Sequence, residues 1–187
     1  MKKFIKNFKA SQDFKPSFFG ILVNPYFIVR YNIFKGIKKF SSDFNKGSLL
    51  DFGCGSKPYE SLFKVEKYIG LDTNQSGHSH KNEKIDVLYD GKKIPFDDNH
   101  FDYIFSSEVL EHVFNIDEII SELNRVLKND GKILITLPFV WGEHEQPYDY
   151  ARYTSFGLKN ILENNGFEII DHIKTTNFIE TIFQSLT

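Results

Sequence analysis

Two glycines, Gly53 and Gly55, follow the short apolar run Ser48-Leu49-Leu50-Asp51-Phe52, and Pro58 stands three residues further on. A run this apolar needs cover on both of its faces. Glycines at i and i+2 let the backbone turn sharply and admit a ligand where a Cβ would obstruct it. That pattern is the strand–turn unit of a parallel α/β sheet, and the rest of the chain repeats it. Further strands are expected at Tyr68–Asp72, Ile85–Tyr89, Phe101–Phe105, Lys132–Leu137 and Phe167–Ile173. Helices are expected from Pro58 to about Val65, along the stripe Ile116, Ile119, Ile120, Leu123, Val126 and Leu127, from Ser155 to Asn165, and from Phe178 onward. Lys132–Leu137 is nearly all apolar and reads as a central strand covered on both faces.

Alternation of strands and helices predicts an α/β fold in three α/β/α layers, with a mostly parallel sheet. In such sheets ligands bind beyond the carboxyl ends of the strands, at the switch point of strand order. The loops after the strands are therefore where chemistry is expected.

The 187 residues amount to one domain with a small appendage. Residues 1–46 are that appendage: they carry ten basic and two acidic side chains, against 13 and 23 in residues 47–187. Within the appendage Phe27, Ile28, Tyr31, Phe34, Ile37 and Phe40 recur at helical spacing, which predicts an amphipathic helix over 25–40 with Asn24 as its cap. The helix is expected to lie as a lid over the ligand end of the sheet, with Arg30 or Tyr31 facing the ligand. Lys2, Lys3, Lys6 and Lys9, interleaved with Phe4, Ile5 and Phe8, suggest weak peripheral contact of residues 1–16 with an anionic membrane. No run reaches the ~20 apolar residues of a membrane span, and no signal peptide is visible. The single cysteine, Cys54, excludes an internal disulfide framework and Cys-rich zinc modules, and suits a reducing cytoplasm. No nucleic-acid partner is expected, and the oligomeric state stays open.

The loop after the first strand lacks the third glycine of a dinucleotide fingerprint, Pro58 standing in its place. That opposes a nicotinamide-dependent dehydrogenase. Asp51 brings a carboxylate near the glycine turn, suited to a cationic amine. Asp72 ends the second strand, where a carboxylate can accept from a ribose diol. Asp90, followed by Gly91, can accept from an exocyclic amine such as adenine N6, or simply form an Asp-Gly turn. Asp97-Asp98-Asn99 reads as a solvated turn. His78 and His80 lie in a polar loop that reads as solvated rather than metal-binding, and no metal is expected anywhere in the chain.

Leu50-Asp51-Phe52-Gly53-Cys54-Gly55, Gly70-Leu71-Asp72, Asp90 with Ile94-Pro95-Phe96, Phe101-Asp102, Val109-Leu110-Glu111-His112-Val113 and Arg125-Val126-Leu127-Lys128 occur in that order. Together they resemble the class I S-adenosylmethionine-dependent methyltransferases, in the branch that includes the ubiquinone-biosynthesis enzymes. The resemblance covers about Gly47 to Ile173. It implies a Rossmann-like methyltransferase sheet with S-adenosylmethionine as methyl donor. It also implies that Gly53, Cys54 and Gly55 line the methionine part, with Asp51 close to its amine. Asp72 would bind the ribose, Asp90 and Gly91 would meet the adenine, and Ser106 would offer its backbone to the methionine amine. Glu111 and His112 would hold the floor of the active site. The fold usually closes with a seventh strand, and the chain ends at Thr187 in a helix, so a shortened last strand or a fragment is expected.

The segment from Pro138 to Thr154 follows the fifth strand and overhangs the site. It holds Trp141, Glu143, His144, Tyr148, Asp149 and Arg152. Aromatic and charged groups together suit a saccharide or another small polar acceptor, and the segment resembles methyltransferases encoded with bacterial surface-polysaccharide enzymes. His144 is the first choice of base for O-methylation, with Glu143, Tyr148 and Asp149 in reserve. A plainer reading is an ordered loop closed by an Asp149–Arg152 ion pair. A non-catalytic scaffold that kept the fold is the competing function.

Overall fold

The computed structural model describes residues 12–73 and 84–185. The polar loop with His78 and His80 and most of the basic 1–16 segment lie outside the described residues. Five strands form one sheet: β1 (Ser48–Phe52), β2 (Lys67–Thr73), β3 (Val87–Tyr89), β4 (Phe101–Ser107) and β5 (Leu127–Thr136). Their spatial order is β3-β2-β1-β4-β5, and every neighbouring pair is parallel. The helices are α1 (Phe27–Phe40), α2 (Ile116–Val126), α3 (Ser155–Asn164) and α4 (Phe178–Ser185). The fold is the expected Rossmann-like sheet with flanking helices.

The chain divides into two compact units, and the division differs from a cut at residue 46. The larger unit comprises Phe44–Lys57 and Lys64–Asp171, hence the whole sheet with α2 and α3. The smaller gathers the N-terminal residues up to Asp43 with Pro58–Phe63 and the residues from His172 onward.

In the larger unit one cluster joins Leu50, Phe52, Leu71 and Ile104 of the sheet to Ile119, Ile120, Leu123 and Val126 of α2 and Leu162 of α3. Each such side chain, withdrawn from water, contributes about 1.5–3 kcal/mol. The α2 stripe is the one its spacing predicts. Asp117 and Glu118 in its first turn and Arg125 in its last complement the helix dipole. Arg125 also forks onto Glu122 at 2.7 and 2.8 Å and donates to the carbonyls of Ile94 and Phe96 at 2.9 and 2.8 Å. Glu122 accepts in turn from the Ile94 amide at 2.8 Å. The chain after β3 is thereby fastened to α2.

In the smaller unit the N-cap of α1 is Tyr26 and not Asn24, whose side chain instead accepts from the Tyr26 amide at 2.8 Å and closes a turn just ahead of the helix. The Arg30 guanidinium lies over the Phe14 ring, 5.1 Å from its centroid, and Tyr31 stacks on Phe27. Gln184 of α4 donates to the Pro25 carbonyl at 2.7 Å.

Several expectations are corrected. Pro58–Val65 is not a helix but a single 3-10 turn, Glu60–Leu62. Lys57 takes a left-handed φ of 55°, which breaks a right-handed helical path at one end, and Lys64 is drawn into extended pairing with Phe44 and Lys46 at the other. Residues 167–173 form no strand. Phe167 and Ile169 pack on the core, Ile170 is exposed, and no ladder joins the segment to β5. Consequently β5 is an edge of the described sheet and not a doubly covered centre. It begins earlier than expected, and its register slips: β4 advances two residues from Phe101 while β5 advances five from Leu127. Last, α3 is capped by Thr154 and not Ser155, the Thr154 hydroxyl accepting from the Gly157 amide at 3.0 Å.

Candidate functional site

Because all five strands are parallel, their carboxyl ends lie along one edge of the sheet. Gly53–Gly55, Asp72, Asp90, Ser106 and the segment after Thr136 are therefore brought to the same edge. Strand order reverses between β1 and β4, which makes that edge the switch point.

Gly53 has a φ of +74°, and a Cβ there would collide with the side chain of Val109. Gly55 has a φ of +45° with open space where its Cβ would point. The first glycine is thus required by packing, while the second leaves the backbone bare. The amides of Gly53 and Cys54 both donate to the Leu71 carbonyl, at 2.9 and 3.2 Å. The Gly55 amide donates to Asp72 Oδ2 at 2.9 Å, and the Thr73 amide to Asp72 Oδ1 at 2.8 Å. The glycine turn and Asp72 are therefore one hydrogen-bonded unit.

Asp51 is buried at the end of β1 and accepts from the Tyr68 hydroxyl at 2.6 Å. Cys54 is buried, and burial, with the Asp51 and Asp72 carboxylates, pushes its thiol far up. Lys57 is buried and ion-paired with Asp86, which also accepts from the Gly70 amide at 2.7 Å. Burial alone would raise the Asp86 pKa, but these donors more than offset it and hold it low. Asp90 forms the turn that the Asp-Gly pair suggests, accepting from the amides of Lys92 and Lys93 at 3.0 and 3.2 Å. Gly91 beside it has open space at its Cβ position. Ser106 is fully buried, and its hydroxyl has no hydrogen-bond partner.

A second group of polar residues assembles from the turn after β4 and the segment after β5. Glu108, at a left-handed φ of 56°, accepts from the Thr136 hydroxyl at 2.9 Å, and Thr136 shares a hydrogen bond with Ser107. Glu111 is fully buried, and neither carboxylate oxygen has a hydrogen-bond partner. Burial, reinforced by Glu108, pushes its carboxyl up to about 8. His112 Nδ1 lies 2.9 Å from the Tyr148 carbonyl, and its Nε2 lies 3.7 Å from Glu111 and 4.0 Å from Glu145. The His112 and His144 rings meet edge to face at 4.7 Å.

The Asp149 side chain is only 4% exposed and is held by Arg152 through two bonds of 2.6 and 2.7 Å, which press its carboxyl far below the usual range. Its Oδ2 also accepts from the His144 amide at 2.9 Å. The ion pair suggested by the sequence is present, and it makes Asp149 a holder of His144. Glu143 is exposed, and Tyr148 contributes its carbonyl to His112. The structure thus brings His144, Tyr148 and Asp149 together with Glu111 and His112. Tyr68 under Asp51 and the Lys57–Asp86 pair escape sequence reasoning. Their partners are far apart in the chain, and no local spacing signals them.

The chain is 29% identical over 169 residues to phosphoethanolamine N-methyltransferase 2 of Caenorhabditis elegans, covering 82% of this chain and 37% of that protein. It is 33% identical over 120 residues to the ubiquinone biosynthesis O-methyltransferase of Pelagibacter ubique, covering 57% and 49%. The chain therefore spans less than half the length of either of these relatives. In fold it is similar to phosphoethanolamine N-methyltransferase 2 of Haemonchus contortus, solved in complex with S-adenosyl-L-methionine. The TM-score is 0.52 at 22% identity, over 86% of this chain and 44% of that one. The model of a methyltransferase domain matches residues 28–172. That match takes in the whole sheet and both polar groups at its edge, and the chain belongs to this methyltransferase domain family.

Proposed function

We propose that the protein transfers a methyl group from S-adenosylmethionine to a hydroxyl of a small polar or saccharide acceptor. The observation that carries this reading is the union of the glycine turn with Asp72 at the switch point, in a chain of the methyltransferase family. Gly55 leaves the backbone bare for the methionine part, Asp72 accepts from the ribose, and Asp90 with Gly91 meets the adenine. Asp51 stands by the methionine amine, and Ser106 offers its backbone. The donor's sulfonium already activates the methyl group, so the protein's task is to align acceptor oxygen, methyl carbon and sulfur. Alignment of this kind supplies up to ~7–11 kcal/mol.

The acceptor side is the segment after β5. His144 is fixed by Asp149 and Arg152, and as a base in the protein free of metal it takes the acceptor's proton, for ~10²–10⁴-fold. Phe139 and Val140 of this segment are exposed, as is Phe114, which packs edge to face on Tyr150 at 5.3 Å. Such aromatic faces suit a sugar ring. The N-methylation named for the phosphoethanolamine relatives is the alternative for the acceptor atom. Residues 1–16 add weak contact with anionic membranes, which suits an acceptor carried on a lipid. No helix of the described residues is long and apolar enough to cross a membrane.

Calorimetry tests the reading. S-adenosylmethionine and S-adenosylhomocysteine should bind and NAD should not. Binding of NAD alone would refute it.

A further inference from the structure

Glu111, His112 and His144 each offer a ligand atom, and these atoms lie within 4.8 Å of one another. From this cluster we infer a binding site for a divalent transition-metal ion, with zinc as the reference ion. Nothing in the methyl-transfer reading requires one, and the site stands on its own geometry.

Three observations converge. The first is the Glu111 carboxylate, fully buried and without a hydrogen-bond partner. A buried carboxylate of that kind is costly unless a proton or a cation compensates it. The second is the state of the two imidazoles. His112 Nδ1 faces the Tyr148 carbonyl at 2.9 Å and therefore carries the hydrogen, which leaves the lone pair on Nε2, the atom beside Glu111. His144 Nδ1 faces two acceptors at 3.2 Å, the Gly142 carbonyl and Asp149 Oδ2. An Arg152 nitrogen is also near Nδ1, at the longer distance of 3.5 Å, and is itself committed to Asp149. The nearer acceptors place the hydrogen on Nδ1 and the lone pair on Nε2. His112 thus shows the arrangement of a metal-bound histidine, in which the far nitrogen donates to a carbonyl or carboxylate, and His144 keeps a lone pair on Nε2.

The third observation is the donor set. Two imidazoles and one carboxylate suit zinc and its neighbours in open, catalytic sites, and the positions they leave are free for an oxygen ligand. Glu145, 4.0 Å from His112 Nε2, flanks the same site. On the methyl-transfer reading, an ion here would bind the acceptor's hydroxyl and lower its pKa. His144 then serves as ligand and not as base.

The test is metal titration of the full chain after chelator treatment. Zinc is followed by calorimetry, and cobalt(II) by its visible ligand-field absorption. One ion should bind per chain. His144→Ala, at a half-exposed position that does not threaten folding, should weaken binding at least as much as loss of a supporting residue does, by upwards of ~10–100-fold. Glu111→Gln, which keeps the shape, should do the same and abolish the cobalt spectrum. A variant with His78→Ala and His80→Ala should bind as the parent does. Absence of binding, or unchanged binding in His144→Ala and Glu111→Gln, overturns the site, as does its loss in the His78/His80 variant alone. S-adenosylhomocysteine titrated in parallel keeps the two readings apart. Its binding without any metal binding would remove the metal site alone, and metal binding without it would remove the donor assignment alone.

Discussion

The Asp72 carboxylate accepts the Gly55 amide at 2.9 Å across the gap between β1 and β2. One oxygen is thus spent on shaping the glycine turn, and the same carboxylate is the one proposed to meet the ribose. Asp72→Ala removes both contacts. Donor affinity should fall by roughly ten- to a hundredfold, as for ~1.5–3 kcal/mol of charge-assisted hydrogen bonding. Calorimetry with S-adenosylhomocysteine checks this, and unchanged affinity would withdraw Asp72 from the donor site.

Gly53→Ala should destabilise the fold. A left-handed φ costs a non-glycine residue ~1–2 kcal/mol, and the new Cβ collides with Val109, which adds ~1–3 kcal/mol of overpacking. Urea unfolding measures the sum. Val109→Ala in the same chain should recover part of it, because it clears the collision and leaves the backbone strain. No recovery would mean that the Val109 contact is not the cause.

Asp102 gives the pH dependence. Lys128, bonded at 2.6 Å, and the Ser48 amide and hydroxyl at 2.8 and 3.0 Å hold its carboxyl below the ordinary range. The folded state therefore binds this proton less readily than the unfolded chain does. The resulting stability is present above the unfolded value of ~3.9 and is lost as pH falls through the depressed folded value. Asp102→Asn should be less stable than the parent at neutral pH, and the difference should shrink on acidification below about pH 4. A difference that stays constant with pH would contradict it.

Arg152→Met should be costly, because it leaves the Asp149 carboxylate buried without its fork. A loss of about 1.5–3 kcal/mol in urea unfolding is expected. His144 should lose its fixed position with it, so methyl transfer should fall while donor affinity holds. Unchanged turnover with a measurable stability loss would confine Arg152 to a structural part.

How much of this was legible in the sequence follows from what each feature depends on. β1, β2, β4 and α2 were readable because their own periodicity carries them. Gly53, Gly55 and Asp72 were readable because the strand ends place them. Pro58–Val65 misled because its local pattern allowed a helix, while Lys64 is claimed by partners at Phe44 and Lys46. Phe167–Ile173 misled because a strand needs a neighbour, and no residue in the segment encodes one. Glu111 and His112 were legible as a floor, but their approach to His144 depends on where Arg152 and Asp149 hold the segment after β5. A span of 32 residues separates His112 from His144, and no spacing rule bridges it.

Cys54 sits inside the glycine turn, 2% exposed, with its thiolate disfavoured by burial and by two carboxylates. It is also the chain's only sulfhydryl. The closed turn hides it from alkylating reagents, which react with the exposed thiolate. Its modification rate is therefore a clock on how often the turn opens, readable by mass spectrometry without introducing any label or substitution.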